Sequence, residues 1–303
     1  MINIIARALL MSTPLLIGAT AEVIAERAGV MIIAVEGIFL IGAWGGFVGV
    51  YTTGSYLTGF FLAALLGLCV ALIYGWITII LKQHQIVTGT ALNIFIAGIV
   101  AFFHRVIFGV PLLPLTIEPL EKLPIPLLSK IPVIGGLLFD QSILTYVAFL
   151  LALTAYFILF KTAAGLVIRS VGENPVAVDV VGISVEKVRM LVILIAGVLG
   201  GIAGSFYSVV YLGMYTEGII GGRGWIAFAI CFLGNWNPIG AIIGALIFGV
   251  AESIAIYMQS SGGGFLPNEV FIALPYILTI ILTISRKQFN VPAKLGVSYI
   301  KEN

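Results

Sequence analysis

The chain alternates between long apolar runs and brief polar stops, with neither the two-residue alternation of a half-buried strand nor the striped pattern of a surface helix. The runs lie at 8–26, 29–50, 57–81, 86–108, 142–160, 190–212, 238–258 and 268–285, with a shorter one at 223–236. A helix rises 1.5 Å per residue, so about 20 apolar residues cross the ~30 Å hydrocarbon core of a bilayer. The run 223–236 falls short of that length. Its ending, GNWNP, predicts a broken or half-span helix, tolerated at membrane depth only where protein buries it. The pattern therefore predicts an all-α, polytopic helical bundle of about nine spans (eight to ten), forming one transmembrane domain over residues 1–303.

Two connections are longer than a turn requires. The first, 109–141, carries Pro111, Pro114, Pro119, Pro124, Pro126 and Pro132, a spacing that forbids a continuous helix and favours extended backbone. Its apolar residues suit either a lid on the bundle or a platform for a soluble partner. The second, 161–189, contains SVGENPVAVDVVGISVEKVR from Ser170 to Arg189. Pro175 fits the first turn of a helix and Asn174 its N-cap, so a short helix over 175–183 is expected, kept wet by Asp179 and Glu186. Its valines need cover from the bundle or from another chain.

Composition confirms the solvent. The chain is 61% hydrophobic and 9% charged, with a mean hydropathy of +1.19, whereas a soluble domain carries about 25% charged residues. A net charge of +2 with no dense basic block gives no nucleic-acid surface. Cys69 and Cys231 lie in apolar runs without neighbouring ligands, so neither a disulfide framework nor a metal site is expected, and both read as small buried hydrophobes. The N-terminal run lacks a clean cleavage site and reads as a retained first span. Nine spans put the chain ends on opposite sides. With the C-terminal tail 286–303 inside, ten of the Lys and Arg residues are cytoplasmic: Arg27, Lys82, Lys161, Arg169, Lys187, Arg189, Arg286, Lys287, Lys294 and Lys301. Five are then outside, namely Arg7, Arg105, Lys122, Lys130 and Arg223, which favours an extracytoplasmic N-terminus.

Polar groups inside spans call for a partner or a wet path, since a carboxylate there costs about 2.5–3.5 kcal/mol on insertion scales. Glu36 is such a group, read as lining a pathway or pairing with a neighbour. Gln85, Thr88 and Asn93 share helical spacing and read equally as pathway contacts or helix-to-helix hydrogen bonds. Trp225, with Glu217 and Arg223, flanks the outer entry to 223–236 and reads as an interfacial anchor or a pathway contact. Gly197, Gly201 and Gly204 permit close helix packing. No phosphate-cradling G-x-x-x-x-G-K-[ST] motif and no hydrolase motif occurs, so the chain is expected to be non-catalytic.

Taken together, FKTAAGLVIRSVGENPVAVDVVGISVEKVRMLVILIAGVLGGIAGS, AERAGVMIIAVEGIFLIGAWGGF, QIVTGTALNIFIAGI, GRGWIAFAICFLGNWNPIGAIIGALIFGVAES, LPYILTIILT and VPAKLGVSYIK resemble the bacterial ABC importer permeases of the branched-chain amino acid, ribose and nucleoside group, in particular the shorter permease of nucleoside importers. The resemblance implies a multi-pass protein of the bacterial plasma membrane. It implies partners too: a second, different permease subunit, cytoplasmic ATPase subunits that carry ATP and Mg, and an extracytoplasmic substrate-binding lipoprotein. Gly172, Glu173, Asn174, Pro175, Val176, Asp179, Gly182 and Ile183 match the family's ATPase-coupling motif. The chain departs from the pattern at Ile32, Ala34 and His84, where Asn, Gly and Asp are usual, so in that segment only Glu36 is carried over as a pathway residue. The alternative from another class is a proton- or sodium-coupled secondary transporter using Glu36 and the broken segment 223–236 without an ATPase.

Overall fold

The computed structural model describes residues 2–111, 113–126, 129, 131, 134–260, 268–285 and 289–300. The expectations placed on Lys130, Pro132, Arg286, Lys287 and Lys301 lie outside the described residues. The helices are α1 (Ile2–Arg27), α2 (Val35–Thr53), α3 (Tyr56–Gly75), α4 (Gln85–Phe108), α5 (Ile134–Leu138), α6 (Ile143–Lys161), α7 (Ala163–Glu173), α8 (Pro175–Val180), α9 (Val185–Ser205), α10 (Arg223–Leu233), α11 (Pro238–Ser260) and α12 (Asn268–Ser285). Helices α3 and α9 each loosen into a π-helical turn at their ends, Trp76–Ile80 and Phe206–Tyr211. Strands β1 (Leu123–Pro124) and β2 (Asp140–Gln141) form a minimal antiparallel hairpin that closes the Pro-rich loop, with Leu123 opposite Gln141.

Among the described residues, seven helices are long and apolar enough to cross a membrane: Ile4–Arg27, Val35–Thr53, Tyr56–Ile80, Gln85–Phe108, Ile143–Lys161, Val185–Tyr211 and Pro238–Ser260. The 18-residue α12 stands beside them, and α10, at 11 residues, is a half-span. The described residues still run from one end of the bundle to the other there. Met214 bridges Thr116 in the Pro-rich loop, while Trp236 accepts a hydrogen bond from Arg27 at the other end of the bundle, so irregular backbone and α10 together cover the distance.

Contacts at each end fix the topology. Tyr56 donates to the carbonyl of Glu118, the amide of Ile117 donates to Gly213, and Arg105 pairs with Glu217, which gathers these segments at the loop end. Lys82 pairs with Glu186, Arg27 meets Trp236, and the Lys294 amide donates to Gly172, which gathers those at the α8 end. Ser253 donates to the carbonyl of Ile4 in the loop-end half of α11, whereas residues 289–298 lie at the α8 end, so the chain runs from one end of the bundle to the other.

The centre of the bundle is built on α1 and α2, whose spans are 83% and 72% buried; α4, at 22%, is peripheral and turns Ile94, Phe95 and Phe102 outward. Tight approach of α9 to its neighbours depends on its glycines, as the spacing predicts: a Cβ at Gly201 would strike the carbonyl of Ala63, and one at Gly204 that of Phe39. The Pro-rich loop is only partly a surface feature. Val110 and Leu113 are exposed, but Leu115, Ile117 and Leu120 pack against the core, and α5 adds a short helical turn within it.

Three expectations change. The helix expected over 175–183 ends at Val180, because Gly182 turns left-handed (φ 84°) and Val181 leaves helical geometry. It is preceded by the separate helix α7, from which Asn174 divides it. Cys231 is buried as read, but Cys69 is exposed on α3, one of the less buried spans.

Candidate functional site

The feature that organises the bundle is a break between α1 and α2, where residues 28–34 are non-helical although the flanking helices are core spans. Buried backbone without a hydrogen bond costs about 1–3 kcal/mol per group, so such a break must be sealed by side chains. Gln85 Oε1 accepts from the amide of Met31 at 2.9 Å, and Tyr74 Oη donates to the Met31 carbonyl. Asn93 uses both ends of its amide, donating to the Ile33 carbonyl at 2.8 Å and accepting from the amide of Gly37 at 2.8 Å. Gln85 and Asn93, named from spacing as pathway or helix-bridging groups, are thus committed to backbone in the helix-bridging sense. Thr88 lies on the same buried face of α4. Ile32 and Ala34, the departures from the family pattern, are fully buried within the break.

Immediately beyond the break, Glu36 opens α2 and reaches the start of α10. Its Oε1 accepts from the amide of Gly222 and its Oε2 from that of Gly224, both at 2.8 Å. A carboxylate at a helix N-terminus satisfies orphan amides and complements the helix dipole, together worth up to about 2 kcal/mol when partly buried. Gly224 permits the approach, since a Cβ there would lie 2.7 Å from the Cα of Glu36. Glu36 is therefore the N-terminal anchor of the half-span helix. Beside it Arg223 pairs with Glu252 of α11 at 2.7 Å and stacks over Tyr207 at 5.1 Å. Trp225, two residues beyond Arg223, is 39% exposed and edge-on to Phe228.

The far end of α10 is held as tightly. Asn235 and Trp236 both adopt left-handed backbone (φ 59° and 53°), an outlier for a bulky residue that persists only where its surroundings impose it. Arg27 Nε donates to the Trp236 carbonyl at 2.7 Å, and the Trp236 indole N–H donates to Glu26. Glu26 is fully buried one helical turn from the buried Glu22. The sequence reading did not single out Glu26, Arg27, Arg189, Glu252 or Tyr74 as functional. Each is a charge or hydroxyl inside a span, and that cost was the signal available.

At the α8 end the SVGENP stretch becomes a corner. Asn174 caps α8 by accepting from the amide of Ala177 at 3.1 Å, with Pro175 at the helix start, as its sequence predicts. Pro175 and Val178 are buried, whereas Val176, Val180 and Val181 are 50%, 81% and 71% exposed. A groove of about 370 Å³ runs beside them between α7 and α8, bordered by Leu166, Ser170, Asn174, Val181 and Ile183. Gly172 faces inward, whereas Glu173 is exposed at the groove. The Gly172 position presses against the Arg27 carbonyl, and Glu173 Oε2 accepts from the Ala293 amide at 3.2 Å. Asp179 and Gly182 border a separate polar recess with Glu186 and Tyr299. The structure therefore gathers Glu36, Gln85 and Asn93 around the break, and the residues 172–183 around the corner, with Arg27 and Gly29 touching both. Trp225 joins the first set through its backbone, which hydrogen-bonds to the Glu36 carboxylate. Among the described residues, no group of three His, Cys, Asp or Glu side chains is placed to hold a metal ion.

Known proteins share this layout in sequence. The nucleoside ABC transporter permease protein NupC of Lactococcus lactis is 36% identical over 98% of this chain and 96% of its own length. The guanosine ABC transporter permease protein NupQ of Bacillus subtilis is 36% identical over the same shares of the two chains. A putative glucose ABC transporter permease protein of Haloferax volcanii, TsgC13, is 30% identical over 96% of this chain and 95% of its own. No solved structure matches the chain significantly. The family model described as branched-chain amino acid transport system / permease component matches residues 4–283, and the chain, a multi-pass membrane protein, belongs to that family of ABC transporter permeases.

Proposed function

We propose that this chain is a permease subunit of an ATP-driven importer, forming with a second, different permease the path for a nucleoside. A substrate-binding lipoprotein delivers the substrate at the loop end, and ATP with Mg acts on separate ATPase subunits at the α8 end, in the cytoplasm. The N-terminus is then extracytoplasmic and the chain itself non-catalytic. The observation that carries the reading is the corner at 172–183, which presents Val176, Val180 and Val181 to solvent beside an open groove at the α8 end of the bundle. Apolar side chains so exposed on a capped, rigid turn fit a partner's groove better than water. ATP hydrolysis needs that partner, because the sequence has no phosphate-binding loop. Nucleoside is preferred over simple sugar from the names of the relatives NupC and NupQ, with a glucose permease among the more distant ones.

In this reading, α8 receives the stroke of the ATPase and the bundle opens alternately to either side. Glu36 supports the mechanism as the anchor of α10, whose other end rests on Arg27. The ion-coupled alternative loses its main residue, since both oxygens of Glu36 are engaged by backbone amides and the family is one of ABC permeases. The test is a Val180→Glu, Val181→Glu double variant co-expressed with the candidate ATPase. The ATPase is expected to fall away on purification while the permease stays in the membrane at normal level. Retention of the ATPase with unchanged uptake of labelled guanosine in proteoliposomes would overturn the assignment of α8.

A further inference from the structure

The C-terminal segment 289–298 lies across the α8 end and bonds to nearly every turn there. The amide of Asn290 donates to Asn235 Oδ1 at 2.7 Å, and Phe289 meets Trp236, so it touches the strained α10–α11 turn. The amide of Ala293 donates to Glu173 and that of Lys294 to the Gly172 carbonyl at 2.8 Å, so it holds the corner before α8. The amide of Gly296 donates to the Gly29 carbonyl at 3.1 Å, at the start of the break. Ser298 donates to the carbonyl of Lys82, itself left-handed (φ 57°), in the α3–α4 turn.

Arg189 of α9 completes this arrangement. It is 3% exposed, and among the described residues no acidic group accepts from its guanidinium; its Nε donates to the Ala28 carbonyl at 3.1 Å and its Nη1 to the Val297 carbonyl at 2.8 Å, while its buried Nη2 has no partner there. A buried cation is costly unless its donors are used, so a guanidinium spent on two carbonyls fixes the geometry of both. One carbonyl belongs to the break and the other to the tail.

We propose that residues 289–298 and Arg189 form a positioning strap that delivers displacement of α8 to the 28–34 break, and through Glu36 to α10. The inference rests on the assignment of α8 as the ATPase contact. Helix α8 has only six residues and two buried side chains, so it grips the bundle weakly by itself. The strap holds the last two residues of α7, Gly172 and Glu173, immediately before it. Movement of Gly172 and Glu173 carries the tail amides with it, the tail carries Gly29 and Arg189, and the break ends at the residue that anchors α10.

The test uses the full complex in proteoliposomes, with bimane on Trp225→Cys in a Cys69→Ala background and ATP plus vanadate as the trapping condition. Trapping is expected to shift bimane emission in the otherwise unaltered complex. Lys294→Pro removes a single strap donor on an exposed residue and is expected to cut the shift at least threefold while ATPase still co-purifies. Arg189→Ala should do the same, with Arg189→Lys recovering part of it and Glu173→Gln, which keeps its acceptor oxygen, leaving it near normal. An undiminished shift in Lys294→Pro and Arg189→Ala overturns the strap. So does the absence of any shift in the starting complex when ATPase is bound. If ATPase fails to bind the starting complex, the α8 assignment falls first and the strap with it.

Discussion

Two interruptions of helix, only a few ångströms apart, have opposite characters. The break at 28–34 leaves helical geometry inside the bundle, and the chain supplies partners for it from elsewhere: Gln85, Asn93 and Tyr74 engage its backbone, and Glu36 at its end ties it to α10. The corner at 172–183 caps its own helix through Asn174 and then leaves Val176, Val180 and Val181 uncovered. Buried polar backbone must be satisfied within the chain, since neither lipid nor packed core offers hydrogen bonds. Exposed apolar surface can wait for another protein. The first interruption is completed within the chain, whereas the second leaves apolar side chains to solvent.

Substitutions can test that distinction. The largest effect is expected at Arg223→Ala, which strands Glu252 and uncovers Tyr207; removing one member of a buried pair costs about 3–5 kcal/mol. Thermal melting of the detergent-solubilised permease should fall sharply, and a double variant with Glu252→Gln should recover part of the loss. Asn93→Leu comes next, because it orphans the Ile33 carbonyl and the Gly37 amide at about 1–3 kcal/mol each. Its melting temperature should drop whether or not ATPase is present, and an unchanged value would break the claim that the interior interruption is sealed by side chains. The smallest effect belongs to the corner, where Asn174→Ala removes one cap at about 1 kcal/mol. It should leave the melting of the lone permease almost unaltered and show mainly as weaker ATPase co-purification, with Asn174→Ser restoring it.

The apolar runs located the seven membrane-length helices among the described residues, and α12 beside them, most of them within a few residues, because membrane crossing is a matter of length and composition. The GNWNP ending identified the weak segment as a half-span for the same reason. Asn174 and Pro175 revealed the start of α8, since capping is local chemistry, while the end of α8 was misjudged because Val181 has no local signal against helix. Gln85 and Asn93 were recognisable as polar groups in a span, yet their spacing was equally compatible with a lined path and with bonds to a neighbouring helix. The break they seal was invisible, because Met31, Ile32 and Ile33 are as apolar as any helical residue in the chain. Arg189 read as one more cytoplasmic cation in an orientation count, although it is buried between two carbonyls.

What the sequence determined by itself is the solvent, the long apolar spans and the positions of the caps. Each depends on residues close together in the chain. The tertiary structure alone decided which polar residues meet: Glu36 with the start of α10, 188 positions away, and Gly172 with Lys294 in the tail. Those meetings follow from the demand that every backbone donor and acceptor at membrane depth find a partner, and that demand is met by helices distant in sequence.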